Sequence, residues 1–303
     1  MHPDVRRPCP ICATTDSVPF LTKASLQLVR CRTCNLVHAD PLPADADASA
    51  YDRLGHPYYL SPDKLGSDYA GVRFERELRL LRRHCPRGRV LDVGCNTGAF
   101  LFHLLRRFGG DYSAVGLDVS RSALDHARQR GLPVLDGSLL THDFGAARFD
   151  AITFWAVIEH LPDPAPLLRR AAELLSPGGV CLAIVPNLDS LAFRLLGARY
   201  RYVLPQHVNY FTRSTLDRLF LRSGLVPLAH GGCHFNPVVL WQDRRLPPHT
   251  FVPDAERASL LRTTTRLKQS PRMQPARRLL AALERLLAFA RLTDNIWVVA
   301  QAA

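Results

Sequence analysis

The chain has 303 residues, a formal net charge of +12, 47% apolar and 22% charged residues, the composition of an ordinary soluble globular protein with room for one sizeable domain and a satellite or for two small domains. No basic-then-apolar signal opens it, and no apolar run approaches the length of a membrane span. All but three of its 39 basic residues are arginine, an excess that a GC-rich genome explains as well as guanidinium chemistry does, so it decides nothing.

The eight cysteines divide into two groups. Cys9, Cys12, Cys31 and Cys34 form two C-x2-C pairs, whereas Cys85, Cys95, Cys181 and Cys233 stand singly. Scattered thiols without a secretion signal lead to the expectation of a reducing, cytoplasmic setting, where paired cysteines bind metal more often than they cross-link. Each pair sets two thiolates on one turn, and two such turns close a tetrahedral S4 site with no open position, hence a structural zinc. Disulfides or a redox C-x-x-C are the alternatives. Residues 1–40 thus read as a zinc ribbon, whose thin apolar content (Phe20, Leu21, Leu26, Leu28, Val29) calls for a staple. Residues 41–88 read as a linker and helical lid, with Pro41, Pro43, Pro57 and Pro62 in its loop-like part, an Ala/Asp-rich patch at Ala44–Ala50, tyrosines 51, 58, 59 and 69, and a helix over Val72–His84.

A doubly wound core follows, over 89–234 and 294–303. In Arg89–Phe100 a short apolar run ends at Asp92, a Gly-containing turn follows, and an apolar-periodic helix begins, so strand, tight turn and helix are expected. The turn reads Asp92-x-Gly94-Cys95-Asn96-x-Gly98; a dinucleotide fingerprint wants a second glycine where Asn96 stands. Tyr112–Val119 is the second strand, with Asp118 near its end, and Leu132–Leu139 is the third, with Ser138 in its terminal run. Phe149–Trp155 reads as a buried fourth strand running into Glu159-His160-Leu161-Pro162. A helix over Ala165–Leu175 and a Pro-Gly-Gly turn lead to the strand Val180–Pro186. The irregular stretch Asn187–Tyr210 is long enough to be functional. Leu225–His230 is the sixth strand, and Asp294–Ala300 the last.

Residues 235–293 stand between those strands as a basic helical insertion. Arg244 through Arg291 holds eleven basic and three acidic residues, a net +8 of the total +12. Its best helix, Ala276–Leu292, lines up Leu279, Leu280, Leu283, Leu286, Leu287 and Ala290. Packing of that face on the sheet or on a second subunit is the expected arrangement. A cover over an anionic substrate and attachment to an anionic membrane surface are the alternatives.

The Asp92–Gly98 loop, the Phe149–Pro164 segment, the Pro-Gly-Gly turn and the four paired cysteines together resemble the class I S-adenosylmethionine (SAM) methyltransferases that carry an N-terminal zinc ribbon, near the ubiquinone-pathway O-methyltransferases and the sugar and natural-product methyltransferases. The resemblance implies an α/β fold, a seven-stranded doubly wound Rossmann-like sheet with only its last-threaded strand antiparallel. It implies a SAM site built from Asp92, Gly94, Cys95, Asn96 and Gly98, with Asp118 on the ribose hydroxyls, Ser138 near the adenine, and Phe154 and Trp155 beside the methionine part. The acid-Pro-Pro-aromatic run common in enzymes that methylate amino groups is replaced by Phe154-Trp155-Ala156-Val157. A hydroxyl nucleophile needs a base with a pKa near neutrality, and His207 and His160 are the candidates. The expected activity is methyl transfer to an O or C nucleophile of a small-molecule intermediate such as a sugar, phenol, quinone or natural product. An RNA methyltransferase is the alternative, but no RNA-binding module is apparent and nucleic acid is not the expected partner. A non-catalytic SAM- or zinc-binding protein is the third reading.

Overall fold

The structure is a computed structural model that describes residues 6–44 and 58–303. Most of the Ala/Asp-rich patch, together with Tyr51, lies outside the described residues.

The core is one seven-stranded sheet. Its strands are β4 (Gly88–Val93), β5 (Tyr112–Asp118), β6 (Val134–Asp136), β7 (Phe149–Trp155), β8 (Leu175–Pro186), β10 (Leu225–Cys233) and β11 (Asn295–Ala302), in the order β10-β11-β8-β7-β4-β5-β6. Pairs within β6-β5-β4-β7-β8 are parallel, and β11 is antiparallel to both β8 and β10, between which it is inserted. The resemblance anticipated this arrangement.

Strand periodicity of two explains why these segments read as near-continuous apolar runs: both faces are covered. Cys181, Ala183 and Val185 of β8 and Ile296, Val298 and Ala300 of β11 enter one core layer. Val180, Leu182 and Ile184, with Val299, enter the other. Helices α5 (Ala165–Leu174) and α7 (Arg213–Arg222) cover the first layer. Helices α2 (Glu75–His84) and α3 (Ala99–Phe108) cover the second.

The N-terminal segment forms β1 (Ser17–Lys23), β2 (Leu26–Cys31) and β3 (Val37–Ala39) as an antiparallel meander. Its sheet does not end there. β3 pairs with β9 (Asn209–Tyr210), Val37 opposite Tyr210 and His38 opposite Asn209. Arg7 reinforces the join, donating from Nη1 to the carbonyls of Ala39 and Val208 at 3.0 and 3.2 Å and from Nη2 to Asn209 Oδ1 at 3.2 Å.

The chain leaves β10 at Cys233 and re-enters β11 at Asn295, at the edge of the sheet where the parallel strands end. The basic insertion between them forms α8 (Pro237–Asp243), α9 (Asp254–Gln269) and α10 (Gln274–Phe289). Asp243 of α8 is buried against Arg201, accepting from its backbone N and its Nε at 2.8 Å each. α9 lies on α1 (Pro62–Asp68), with Arg262 bonded to Asp63. Within this chain the last helix packs by one side only. Leu287 of α10 is buried, but Leu279, Leu283, Leu286 and Phe289 face solvent. Glu284, bonded to Arg76 and to the His234 backbone N, fixes which side turns inward. No helix among the described residues is long and apolar enough to cross a membrane.

Candidate functional site

The loop between β4 and α3 is bent by left-handed backbone at Gly94 (φ 72°), Asn96 (φ 51°) and Gly98 (φ 75°). A Cβ at Gly94 would stand 2.6 Å from Val157 Cγ2, and one at Gly98 2.7 Å from Leu132 Cδ1, so conformation and packing both demand glycine. Asn96 takes the third such position because a short amide side chain tolerates it, and its Oδ1 accepts from Thr97 N at 2.8 Å.

Asp118, at the end of β5, is tied to that loop. Its Oδ2 accepts from Asn96 N at 2.7 Å and its Oδ1 from Ser120 N at 2.8 Å. Its carbonyl accepts from Gly137 N at 2.9 Å, which draws the end of β6 and Ser138 to the same edge. Burial raises the Asp118 pKa, with the backbone donors opposing. Each carboxylate oxygen keeps a further acceptor site for a ligand hydroxyl. Ser138 Oγ is already engaged by Leu140 N at 3.2 Å. Asp92 is buried and accepts from Thr153 Oγ1 at 2.7 Å; burial first, and then the Asp118 charge, push its pKa up to about 7.

Two of the expected cofactor residues turn elsewhere. Cys95 points inward, its Sγ 2.5 Å from where a Cβ on Gly116 would lie, so only its backbone is available to a ligand. Phe154 is fully buried in the core, and its side chain cannot meet a ligand. The reason is strand alternation: Phe154 and Trp155 point to opposite faces. Trp155 stacks edge-on against Phe100 at 5.2 Å, and its buried Nε1 has no hydrogen-bond partner among the described residues.

A second cluster lies where the turn after β7 meets the stretch before β9. Val208 N donates to Glu159 O at 2.9 Å and Asn209 Nδ2 to Leu161 O at 2.7 Å, closing the two segments on one another. His160 and His207 thereby meet edge-on, ring centroids 4.7 Å apart. His160 Nδ1 bonds Gln206 O at 2.8 Å and His207 Nδ1 bonds Tyr202 O at 3.0 Å. A carbonyl only accepts, so both rings carry their proton on Nδ1 and present Nε2 as the basic nitrogen. Burial lowers the His160 pKa to about 4 and that of His207 well below its usual value, the latter helped by His160 and Arg257. Glu159 is buried beside them, its Oε1 3.9 Å from His160 Nε2, and burial pushes its pKa up to about 8. Neither Glu159 oxygen has a hydrogen-bond partner among the described residues. Ligand atoms of Glu159, His160 and His207 lie within 4.8 Å of one another, a spacing that admits a shared proton or a cation.

Sequence reasoning missed the aromatic and cationic neighbours of this cluster. Arg257 of α9 lies over the Tyr58 ring at 4.7 Å and pairs with Asp254 at 2.8 Å. Its charge lowers the pKa of both histidines. Tyr59 packs on Tyr58 at 5.2 Å, and burial raises the pKa of its hydroxyl, with the charges of Asp118 and Glu159 adding to the rise. Tyr202 stacks on His207 at 6.4 Å. The tyrosines of the linker stand out in the sequence as an aromatic group, but nothing there marks an arginine of the insertion as the partner of Tyr58.

At the other end of the shared sheet, Cys9 Sγ lies 3.4 Å from Cys34 Sγ, and Cys12 Sγ 3.4 Å from Cys31 Sγ. All four sulfurs fall within 4.8 Å of one another. A zinc tetrahedron with bonds of about 2.3 Å has edges of about 3.8 Å. The thiols therefore fit a structural zinc, and the hydrogen bond from Cys34 already pulls the Cys9 pKa to about 4, toward the thiolate that binds metal.

Residues 69–230, more than half of the chain, match a family profile described as a methyltransferase domain. The ubiquinone biosynthesis O-methyltransferase of Psychrobacter arcticus is 32% identical over 168 residues, covering 50% of this chain and 63% of the relative. That of Cereibacter sphaeroides is 35% identical over 164 residues (50% and 65%), and that of Coxiella burnetii 32% over 179 residues (54% and 72%). The chain thus spans less than two thirds of the first two relatives. Among solved structures, a Thermotoga maritima SAM-dependent methyltransferase, a possible histamine N-methyltransferase, superposes with a TM-score of 0.50 at 15% identity, over 83% of this chain and 97% of that one. A chain of the Haloferax volcanii complex between a methyltransferase activator and a putative methyltransferase gives 0.52 at 16% identity, over 84% and 97%. These superpositions speak to fold alone. With the family profile, the inserted antiparallel strand and the Asp92–Gly98 loop in agreement, the chain belongs to the class I SAM-dependent methyltransferases.

Proposed function

We propose that the enzyme transfers a methyl group to an oxygen or carbon nucleophile of a small-molecule biosynthetic intermediate, oxygen being the acceptor that the names of the relatives favour. The observation that carries this reading is the buried His160–His207 pair, each ring held by a backbone carbonyl with Nε2 presented. In this reading SAM lies along the Asp92–Gly98 loop, with Asp118 on its ribose, Ser138 near its adenine and Trp155 toward its methionine end.

SAM supplies a methyl group already activated on a sulfonium. The chain's own part is to align the acceptor, exclude water and receive a proton. Tyr202, stacked on His207, and the Tyr58–Tyr59 pair exclude water. Orientation of this kind contributes up to about 7–11 kcal/mol in ideal intramolecular cases. His207 Nε2 takes the proton of an acceptor hydroxyl, a role that contributes roughly 100- to 10,000-fold. Burial makes an isolated imidazolium costly here, and a Glu159 carboxylate beside the histidine pair lowers that cost by its opposite charge.

The test is incubation of the enzyme with methyl-labelled SAM and a metabolite extract, followed by mass spectrometry, in parallel with His207→Gln. Label in a small molecule, with the variant slowed at least 100-fold but still binding SAM, supports the reading. Label in RNA, or a variant as fast as the parent, overturns it.

A further inference from the structure

Helix α10 carries an apolar surface that nothing among the described residues covers. Leu279 is 74% exposed, Leu283 40%, Leu286 68% and Phe289 91%. At about 100° per residue the four fall within an arc of roughly 120°. Arg278 and Arg285 run along one border of this stripe, while the packed side of the helix, with Leu287 and Glu284, runs along the other. Arg272, Arg277, Arg278 and Arg285 make no side-chain ion pair or hydrogen bond among the described residues. The segment around them holds most of the chain's excess positive charge.

We propose that this face docks on the surface of an anionic lipid bilayer. Leu279, Leu286 and Phe289 enter the acyl boundary, and Arg278 and Arg285 lie among the lipid phosphates. Charge complementarity favours this occupant over a second copy of the chain. An antiparallel two-fold contact through the stripe would bring Arg278 and Arg285 of both copies to one seam, like charge against like, whereas lipid phosphates complement them. The insertion leaves and rejoins the sheet at the edge that carries the site, so docking would bring the bilayer to the same end of the molecule.

Cosedimentation with large vesicles tests this without knowledge of the methyl acceptor. The parent should pellet with phosphatidylcholine vesicles containing about 30% phosphatidylglycerol, not with phosphatidylcholine alone, and should be released by high salt. Arg278→Gln/Arg285→Gln should weaken binding about 25-fold, about fivefold for each cationic side chain. Leu286→Gln/Phe289→Gln should weaken it at least about tenfold. All these positions are exposed, so the variants should melt with the parent. No binding to the anionic vesicles, or variants that bind like the parent, would overturn the proposal. So would a parent that sediments as a dimer, ignores vesicles, and turns monomeric in Leu286→Gln/Phe289→Gln, which would assign the stripe to a second copy.

Discussion

Helices α9 and α10 are each sixteen residues long, and both belong to the basic insertion, yet they have opposite fates. α9 contains Thr263-Thr264-Thr265, a β-branched run that helices tolerate poorly, and has the weaker apolar pattern. It is nevertheless the docked one, with Ala258 and Thr265 buried, Arg262 on Asp63 and Arg257 over Tyr58. α10 is rich in leucine and alanine with clean helical periodicity, and it leaves its stripe in solvent. Periodicity reports that a helix has an apolar face; only a neighbour of matching shape and charge decides whether that face is covered.

The sharpest division runs within α10 itself. Leu287→Ala should destabilise the protein by about 2–5 kcal/mol, because a cavity opens under a buried leucine. Leu286→Ala, one residue away, should change stability by less than about 0.5 kcal/mol. Urea unfolding decides, and equal losses would mean that α10 is packed on both sides.

Cofactor affinity should belong to the sheet edge and ignore α10. Asp118→Ala should weaken SAM binding more than about tenfold, since a hydrogen bond to a charged acceptor contributes about 1.5–3 kcal/mol. Leu283→Gln should leave calorimetric affinity unchanged. Loss of affinity in both variants would join α10 to the site after all.

The arginines of the two helices should separate in pH dependence. Arg257 depresses the pKa of His160 and His207, so Arg257→Gln raises both. The imidazolium forms then persist to higher pH, and the acid limb of kcat/KM should move upward. Arg285→Gln should leave the profile where it is.

The smallest effect belongs to the tether between α9 and α1. Asp63→Asn should cost less than about 1 kcal/mol in thermal unfolding, as exposed ion pairs do. A larger loss would make this pair, rather than burial of Ala258 and Thr265, the reason that α9 is docked.

The sheet was legible in the sequence because its signals are local. Near-continuous apolar runs bounded by Gly and Pro located its strands, and the deferred Asp294–Ala300 strand announced an insertion before it. The cysteine spacing and the Asp92–Gly98 loop are likewise short motifs whose residues meet wherever the chain goes. Asp118 was found from the end of its strand and is tied to Asn96 in the structure. Phe154 was misplaced because a motif names a segment, whereas alternation decides which of two neighbours faces the ligand. Glu159 stood inside a recognised motif, but its burial depends on Val208 and the segment around it, 49 residues away. Arg257 and Tyr58 meet across nearly 200 residues with no motif at either end. β9 is two residues long, too short to carry any period.

That short strand also sets the unit of folding. The family profile begins at residue 69, as though the ribbon were an attachment to a finished enzyme. Yet β3 is the partner of β9, and Arg7 bonds the carbonyl of Val208, the residue after His207. A shortened chain that starts at the profile boundary would leave β9 with a bare edge and the His207 segment without its brace. The four thiols and the imidazoles, at opposite ends of one small sheet, are therefore mechanically a single object: what loosens the ribbon reaches the His207 segment through backbone hydrogen bonds.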